Sequence, residues 1–177
     1  MQKAVFLDRD NTLIANDGDL GDPELVVVLE GAVDGVRRLH QLGYLPVVVT
    51  NQGGVARGRY EETDVDRVHD RLHELLGRDL PISFYACPFH PKGSVPAYTR
   101  EHPWRKPAPG MLLAAAREHG IDLEASWMIG DQPRDAEAGR AAGCRTILIA
   151  PPELEGEADH RVATLAGAVE VIAGANP

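Results

Sequence analysis

The sequence predicts an α/β fold, a parallel sheet with helices on both faces, and three observations carry that reading. Short apolar runs at residues 4–7, 45–50, 82–86, 126–130 and 145–149 are continuous rather than alternating, as in strands buried on both faces. Segments with apolar residues at helical spacing separate most of these runs. A strand, a helix and a strand in that order form a right-handed parallel crossover, and repeating the pattern covers both faces of one sheet. At 177 residues the chain fits a single domain, 1–177, long enough to bury roughly two-thirds of its unfolded surface.

The first run ends in Asp8 and Asp10. Side chains two apart on extended backbone share a side, so both carboxylates sit at the carboxyl end of a strand, where open α/β sheets place ligands. Such a pair is costly without a cation. The plainer reading is a polar turn, which Asp and Asn favour for their backbone hydrogen bonds. Residues 16–23 form a loop over the acids, because Asp17-Gly18 and Asp22-Pro23 are turn formers. Residues 32–42 carry Val33, Val36, Leu39 and Leu42 on one helical stripe that stops at Gly43. The second strand ends in Thr50 and leads into Asn51-Gln52-Gly53-Gly54.

Residues 61–77 are a second amphipathic helix, with Val65, Val68, Leu72, Leu75 and Leu76 inward. Its His69 and His73 are four apart but lack the glutamate of a zincin pair, so the expectation is a solvated face. After the third strand, residues 87–107 make a long connection with five prolines, a length that usually signals function. Residues 109–118 read as a helix, with proline near its start and Gly120 past its end. The fourth strand ends in Gly130-Asp131-Gln132-Pro133-Arg134-Asp135, again acids after an apolar run. A short alanine-rich helix, 136–142, then packs close to the sheet and closes at Gly143. The fifth strand, an exposed loop at 151–157 and a helix at 165–173 complete the chain.

Composition excludes several function classes. A formal net charge of −9 opposes non-specific nucleic-acid binding, so any phosphate site must be local. Two cysteines, Cys87 and Cys144, are too few for a disulfide framework. Met1-Gln2-Lys3-Ala4 runs straight into the first strand, so neither a secretory signal nor a membrane span is expected. The expectation is a cytoplasmic monomer acting on a small phosphorylated molecule, with no nucleic-acid or membrane partner.

At one edge of the sheet the strand ends and loops gather Asp8 and Asp10, Thr50, Arg105-Lys106, and Asp131 and Asp135. Carboxylates make a hard oxygen site suited to magnesium, while a hydroxyl, a lysine and backbone amides suit a phosphoryl group. Asp-Arg-Asp-Asn-Thr at 8–12, Thr50, Lys106 and Gly-Asp-Gln-Pro-Arg-Asp at 130–135 resemble the four motifs of the haloacid dehalogenase superfamily of phosphatases. Residues 47–58, 87–93 and 105–112 are similar to the branch that contains heptose bisphosphate and histidinol-phosphate phosphatases. A phosphorylated signalling receiver is the non-enzyme alternative, although its phospho-acceptor is expected on the third strand rather than the first.

The resemblance implies a three-layer α/β/α, Rossmann-like parallel sheet with no separate cap domain. It implies Asp8 as nucleophile, Asp10 as general acid and base, and Thr50 and Lys106 as holders of the transferring oxygens. Magnesium is expected on Asp8, the Asp10 carbonyl and Asp131, with Asp135 behind them. Substrate residues carried over are Asn16, Asp17, Gly18, Asp19, Asn51, Gln52, Gly53, Arg105 and Gln132. Arg105 is expected to take a second phosphate on its planar fork, which points to removal of the 7-phosphate from a heptose 1,7-bisphosphate. Histidinol phosphate remains the alternative substrate.

Two departures stand out. The glycine usual after the second acid is Asn11, a residue that tolerates left-handed backbone. Relatives that bind zinc in the long loop do so through Cys-x-His and Cys-x-Cys, and here the matching positions are Cys87, Phe89, His102 and Trp104. Two aromatic rings stand where a closed zinc site needs donors, so no structural zinc and a small apolar cluster are expected. A rearranged site from Cys87, His90, His102 and Glu101 is the alternative.

Overall fold

A computed structural model describes residues 1–175. Its six-stranded sheet comprises β1 (Lys3–Leu7), β2 (Tyr44–Asn51), β3 (Ser83–Cys87), β4 (Trp127–Gly130), β5 (Arg145–Ile149) and β6 (His160–Val162). The order is β3-β2-β1-β4-β5-β6, and every neighbouring pair is parallel. Alternate residues of each central strand face opposite layers. Val5 and Leu7 pack with α1 (Ala32–Gln41), α2 (Glu62–Leu76) and α5 (Leu165–Gly174). Ala4 and Phe6 pack on the other face with α3 (Gly110–His119) and α4 (Pro133–Ala142). The α/β/α sandwich follows from this two-faced burial.

The chain runs outward from β1 to β3 and then returns across β1 to β4. This reversal opens a crevice at the carboxyl end of β1, the position where doubly wound sheets hold ligands. Asp8 sits there as the first residue past β1, its N–H donating to Ile129 O at 2.9 Å.

Three elements differ from the sequence reading. Strand β6 is three residues long at the sheet edge, too short and too polar to give an apolar run. Helix α4 begins at Pro133, three residues early, because proline suits a first helical position and Gln132 and Asp135 form a capping box. The face of α2 bearing His69 and His73 is not solvated. His69 is buried and stacked on Phe84 with centroids 4.8 Å apart, and His73 Nε2 lies 2.9 Å from Leu80 O. Burial, reinforced by the Arg9 charge, pushes the His69 pKa down to about 3.

Candidate active site

The turn after β1 depends on Asn11, which holds φ at 59° and donates its N–H to Ile14 O at 2.7 Å. Its side-chain amide then ties down the next loop, donating to Asn16 O and accepting from Asn16 N–H at 2.9 and 3.0 Å. The residue that replaces glycine therefore supplies the left-handed turn and an anchor for the loop as well.

Lys106 organises the acids. Its ammonium is 2.6 Å from Asp8 Oδ1 and 2.7 Å from Asp135 Oδ1, and it donates to Val49 O at 2.8 Å. These contacts match its three donors, although the Asp135 contact is an ion pair without aligned hydrogen-bond geometry. Burial alone would lower the Lys106 pKa, but the carboxylates of Asp135 and Asp8 outweigh it and raise it. Asn51 fixes the lysine from behind, donating to Lys106 O at 2.9 Å and accepting from Lys106 N–H at 3.0 Å. Gly130 lets Asp135 approach, since a Cβ there would lie 2.3 Å from the Asp135 carboxylate.

Asp8, Asp131 and Asp135 bring one carboxylate oxygen each to within 4.8 Å of one another. Burial raises the Asp8 pKa to about 7, against the opposing charge of Lys106, and burial also raises that of Asp131. Three crowded acids with one lysine leave a surplus of negative charge. That is a donor set for a hard divalent cation such as magnesium.

Asp10 sits in a ring of donors. Arg9, itself fully buried, donates to both carboxylate oxygens at 3.1 and 3.3 Å. Asn16 Nδ2 donates to Oδ1 and Gln52 Nε2 to Oδ2, each at 2.9 Å. Gln52 Nε2 also donates to Thr50 Oγ1 at 2.8 Å. Its Oε1 accepts from Arg9 at 2.9 Å and from the Tyr60 hydroxyl at 2.7 Å, which fixes the amide's orientation. Sequence reasoning did not single out Arg9 or Tyr60, because a buried arginine and a loop tyrosine carry no spacing signal of their own.

A cleft of about 280 Å³ opens beside Asp10. Among the expected substrate residues, Asn16, Gly18, Asp19, Asn51, Gln52, Gly53 and Arg105 line it, whereas Asp17 and Gln132 do not. Gln132 instead donates its amide to Asp131 Oδ2 at 2.8 Å. Arg57 lines the cleft paired with Asp19, and Arg134 lines it without having been expected to. A larger cavity of about 640 Å³ lies beyond Tyr60 but contains none of Asp8, Asp10, Asp131 and Asp135. Chemistry rather than volume marks the site.

In the long loop the nitrogen and sulfur donors each contact a backbone group. Cys87 Sγ reaches Phe89 O at 3.9 Å, His90 Nδ1 accepts from Lys92 N–H at 3.0 Å, and His102 Nδ1 accepts from Trp104 N–H at 3.1 Å. Phe89 stacks on His102 with centroids 4.3 Å apart, and Trp104 meets Tyr85 edge-on at 6.0 Å. The Arg100 guanidinium covers Phe89 at 4.1 Å. Phe89 O in turn accepts from Arg105 at 3.3 Å, so the aromatic cluster supports an arginine of the cleft.

A parallel sheet with paired acids after its first strand, a hydroxyl at the end of the second and a buried lysine bridging the first acid to a late one defines a haloacid dehalogenase-like site. A family described as HAD-hydrolase-like matches residues 103–168. The D-glycero-alpha-D-manno-heptose-1,7-bisphosphate 7-phosphatase of Burkholderia mallei (strain ATCC 23344) is 40% identical over 169 residues, covering 94% of this chain and 87% of that protein. The D-glycero-beta-D-manno-heptose-1,7-bisphosphate 7-phosphatase of Escherichia coli (strain K12) is 36% identical over 177 residues, covering 96% and 93%. Among solved structures, D,D-heptose 1,7-bisphosphate phosphatase from B. bronchiseptica, complexed with magnesium and phosphate, has a TM-score of 0.82 at 27% identity, covering 98% of this chain and 99% of that one. This chain belongs to the haloacid dehalogenase-like family, within its group of heptose-bisphosphate 7-phosphatases. That membership sets aside the receiver reading.

Proposed function

We propose that the chain is a magnesium-dependent phosphatase that removes the 7-phosphate of D-glycero-D-manno-heptose 1,7-bisphosphate through an aspartyl-phosphate. The observation that carries the reading is one cleft bordered by both an acid and an arginine. Asp10, two residues on from the Asp8 that Lys106 holds, lines it on one side, and Arg105, the residue before that lysine, lines it as well. The names of the relatives support the same substrate. Two buried cysteines, both free thiols, suit a cytoplasmic setting.

In the first half-reaction an Asp8 oxygen attacks phosphorus and the bond to the sugar oxygen breaks, that oxygen taking the proton of a protonated Asp10. In the second, Asp10 as carboxylate takes a proton from water, whose oxygen attacks the same phosphorus and frees Asp8. Thr50 and Lys106 hold the transferring oxygens. Gln52 keeps Asp10 and Thr50 in register through one amide. Asp8, Asp131 and the Asp10 main-chain carbonyl would hold magnesium, with Asp135 kept in place by Lys106. Magnesium, when bound, neutralises charge on the phosphoryl oxygens and favours ionised Asp8.

Arg105 is half-buried, and burial, together with the Arg134 and Arg57 charges, lowers its pKa. An anion in the cleft would relieve that strain, and the unhydrolysed phosphate is such an anion. Specificity constants for heptose 1,7-bisphosphate and histidinol phosphate, measured side by side, test the assignment. The bisphosphate is expected to win, and Arg105→Ala to narrow the gap by about tenfold or more, the scale of one charge-assisted contact. A reversed preference would move the protein to the histidinol-phosphate branch.

A further inference from the structure

Arg134 occupies a position that helix stability does not explain. It lies in the first turn of α4, where the helix dipole favours acids such as Asp135 and disfavours a cation. Its side chain is exposed on the cleft wall and, among the described residues, makes no hydrogen bond or ion pair. The charge is felt nonetheless, because after burial it contributes to the lowered pKa of Arg105. Three guanidiniums thus share one small cleft in a chain of net charge −9.

Their commitments differ. Arg57 is held two-pronged by Asp19, with contacts of 3.2 and 2.5 Å, so its charge is matched. Arg105 gives one donor to Phe89 O, and Arg134 gives none. Like charges gathered on one wall raise the energy of the empty cleft and lower that of a cleft holding a dianion. A phosphate monoester has the charge and the acceptors that two open guanidinium forks require.

We propose that Arg134 is a specificity-determining residue, gripping the unhydrolysed phosphate together with Arg105. The proposal rests on the bisphosphate reading. It also accounts for the position of Gln132, whose amide serves Asp131 and leaves the anion to the residue two places on. Arg134 therefore acts on binding and Asp8 on chemistry, so its loss is expected to appear mainly in KM.

The test compares D-glycero-D-manno-heptose 1,7-bisphosphate with the corresponding 7-monophosphate in wild type, Arg134→Gln, Arg134→Lys and Arg134→Glu. The ratio of specificity constants, bisphosphate over monophosphate, is expected to fall about tenfold to a hundredfold in Arg134→Gln, the range of a charge-assisted hydrogen bond. Arg134→Lys should recover part of it, and Arg134→Glu should lose more. Unchanged melting temperatures would separate this from misfolding, which an exposed side chain is not expected to cause. If wild type discriminates and the ratio is the same in Arg134→Gln and Arg134→Glu, the assignment to Arg134 is overturned while the bisphosphate reading stands. A wild type indifferent to the second phosphate overturns both.

Discussion

Two regions of this molecule carry residue types that bind metals, and among the described residues three potential ligands converge in one of them. After β1 and β4, Asp8, Asp131 and Asp135 converge within 4.8 Å. In the loop after β3, Cys87, His90 and His102 contact backbone groups of their own loop, and the His102 ring meets Phe89 on one side and Trp104 on the other. Asp8 and Asp131 are placed by strand ends that the parallel sheet fixes in register, and Asp135 by the first turn of α4. The loop donors have only local turns to place them, and stacking decides where the rings go. Ligand chemistry in a sequence thus becomes a site when the backbone beneath it is already constrained.

Disabling the acidic region should have the largest effect. Asp8→Asn is expected to cut turnover of the bisphosphate by at least about a thousandfold, as loss of a nucleophile does. Circular dichroism should show a retained fold, since the amide can still accept from Lys106. Undiminished steady-state phosphate release would remove Asp8 from the chemistry.

The loop should respond more mildly. Protein purified without chelator or metal-affinity tag is expected to hold well under one equivalent of zinc, and chelation should leave its melting temperature unchanged. Phe89→Ala removes a stacked pair worth about 0.5–1.5 kcal/mol beyond its burial. It should raise KM several-fold through Arg105 while altering kcat less. One equivalent of tightly held zinc, lost together with loop order, would show that this region is a metal site after all.

The smallest effect on activity is expected at His69, which sharpens the contrast because it is a histidine buried for packing. Its folded pKa, about 3, lies below the ordinary value of 6.5. The unfolded chain therefore binds more protons between those limits. Stability from the neutral ring is complete above pH 6.5 and declines as the pH falls toward 3, by up to about 1.4 kcal/mol per unit for one proton. His69→Phe should flatten the dependence of denaturation midpoint on pH in that window. An unchanged slope would mean that other groups set it.

What the sequence made legible follows the same division. The first five strands were readable because burial forces continuous apolar runs, and the clustered acids because Asp8 and Asp131 stand at the ends of those runs. Strand β6 escaped because three edge residues carry no such pattern. His69 was read as solvated because its stacking on Phe84 is a tertiary event with no spacing signature. Arg134 joins the cleft from the first turn of α4 and Tyr60 from the loop after β2, so their roles depend on contacts far apart in the chain. Asn11 was readable for its backbone but not for the two hydrogen bonds that hold Asn16.

The central claim is that Asp8 carries the phosphoryl group while Asp10 handles the protons. It is tested most directly by rapid quenching of Asp10→Asn with p-nitrophenyl phosphate and magnesium, followed by borohydride reduction and peptide mapping. The leaving group needs no proton, so transfer to Asp8 should proceed, while loss of the base slows hydrolysis of the intermediate. The account predicts a burst approaching one p-nitrophenol per active site, as expected of covalent catalysis, with residue 8 recovered as homoserine. A burst whose label maps to any other residue, or steady release with no burst and no labelled protein, would contradict it.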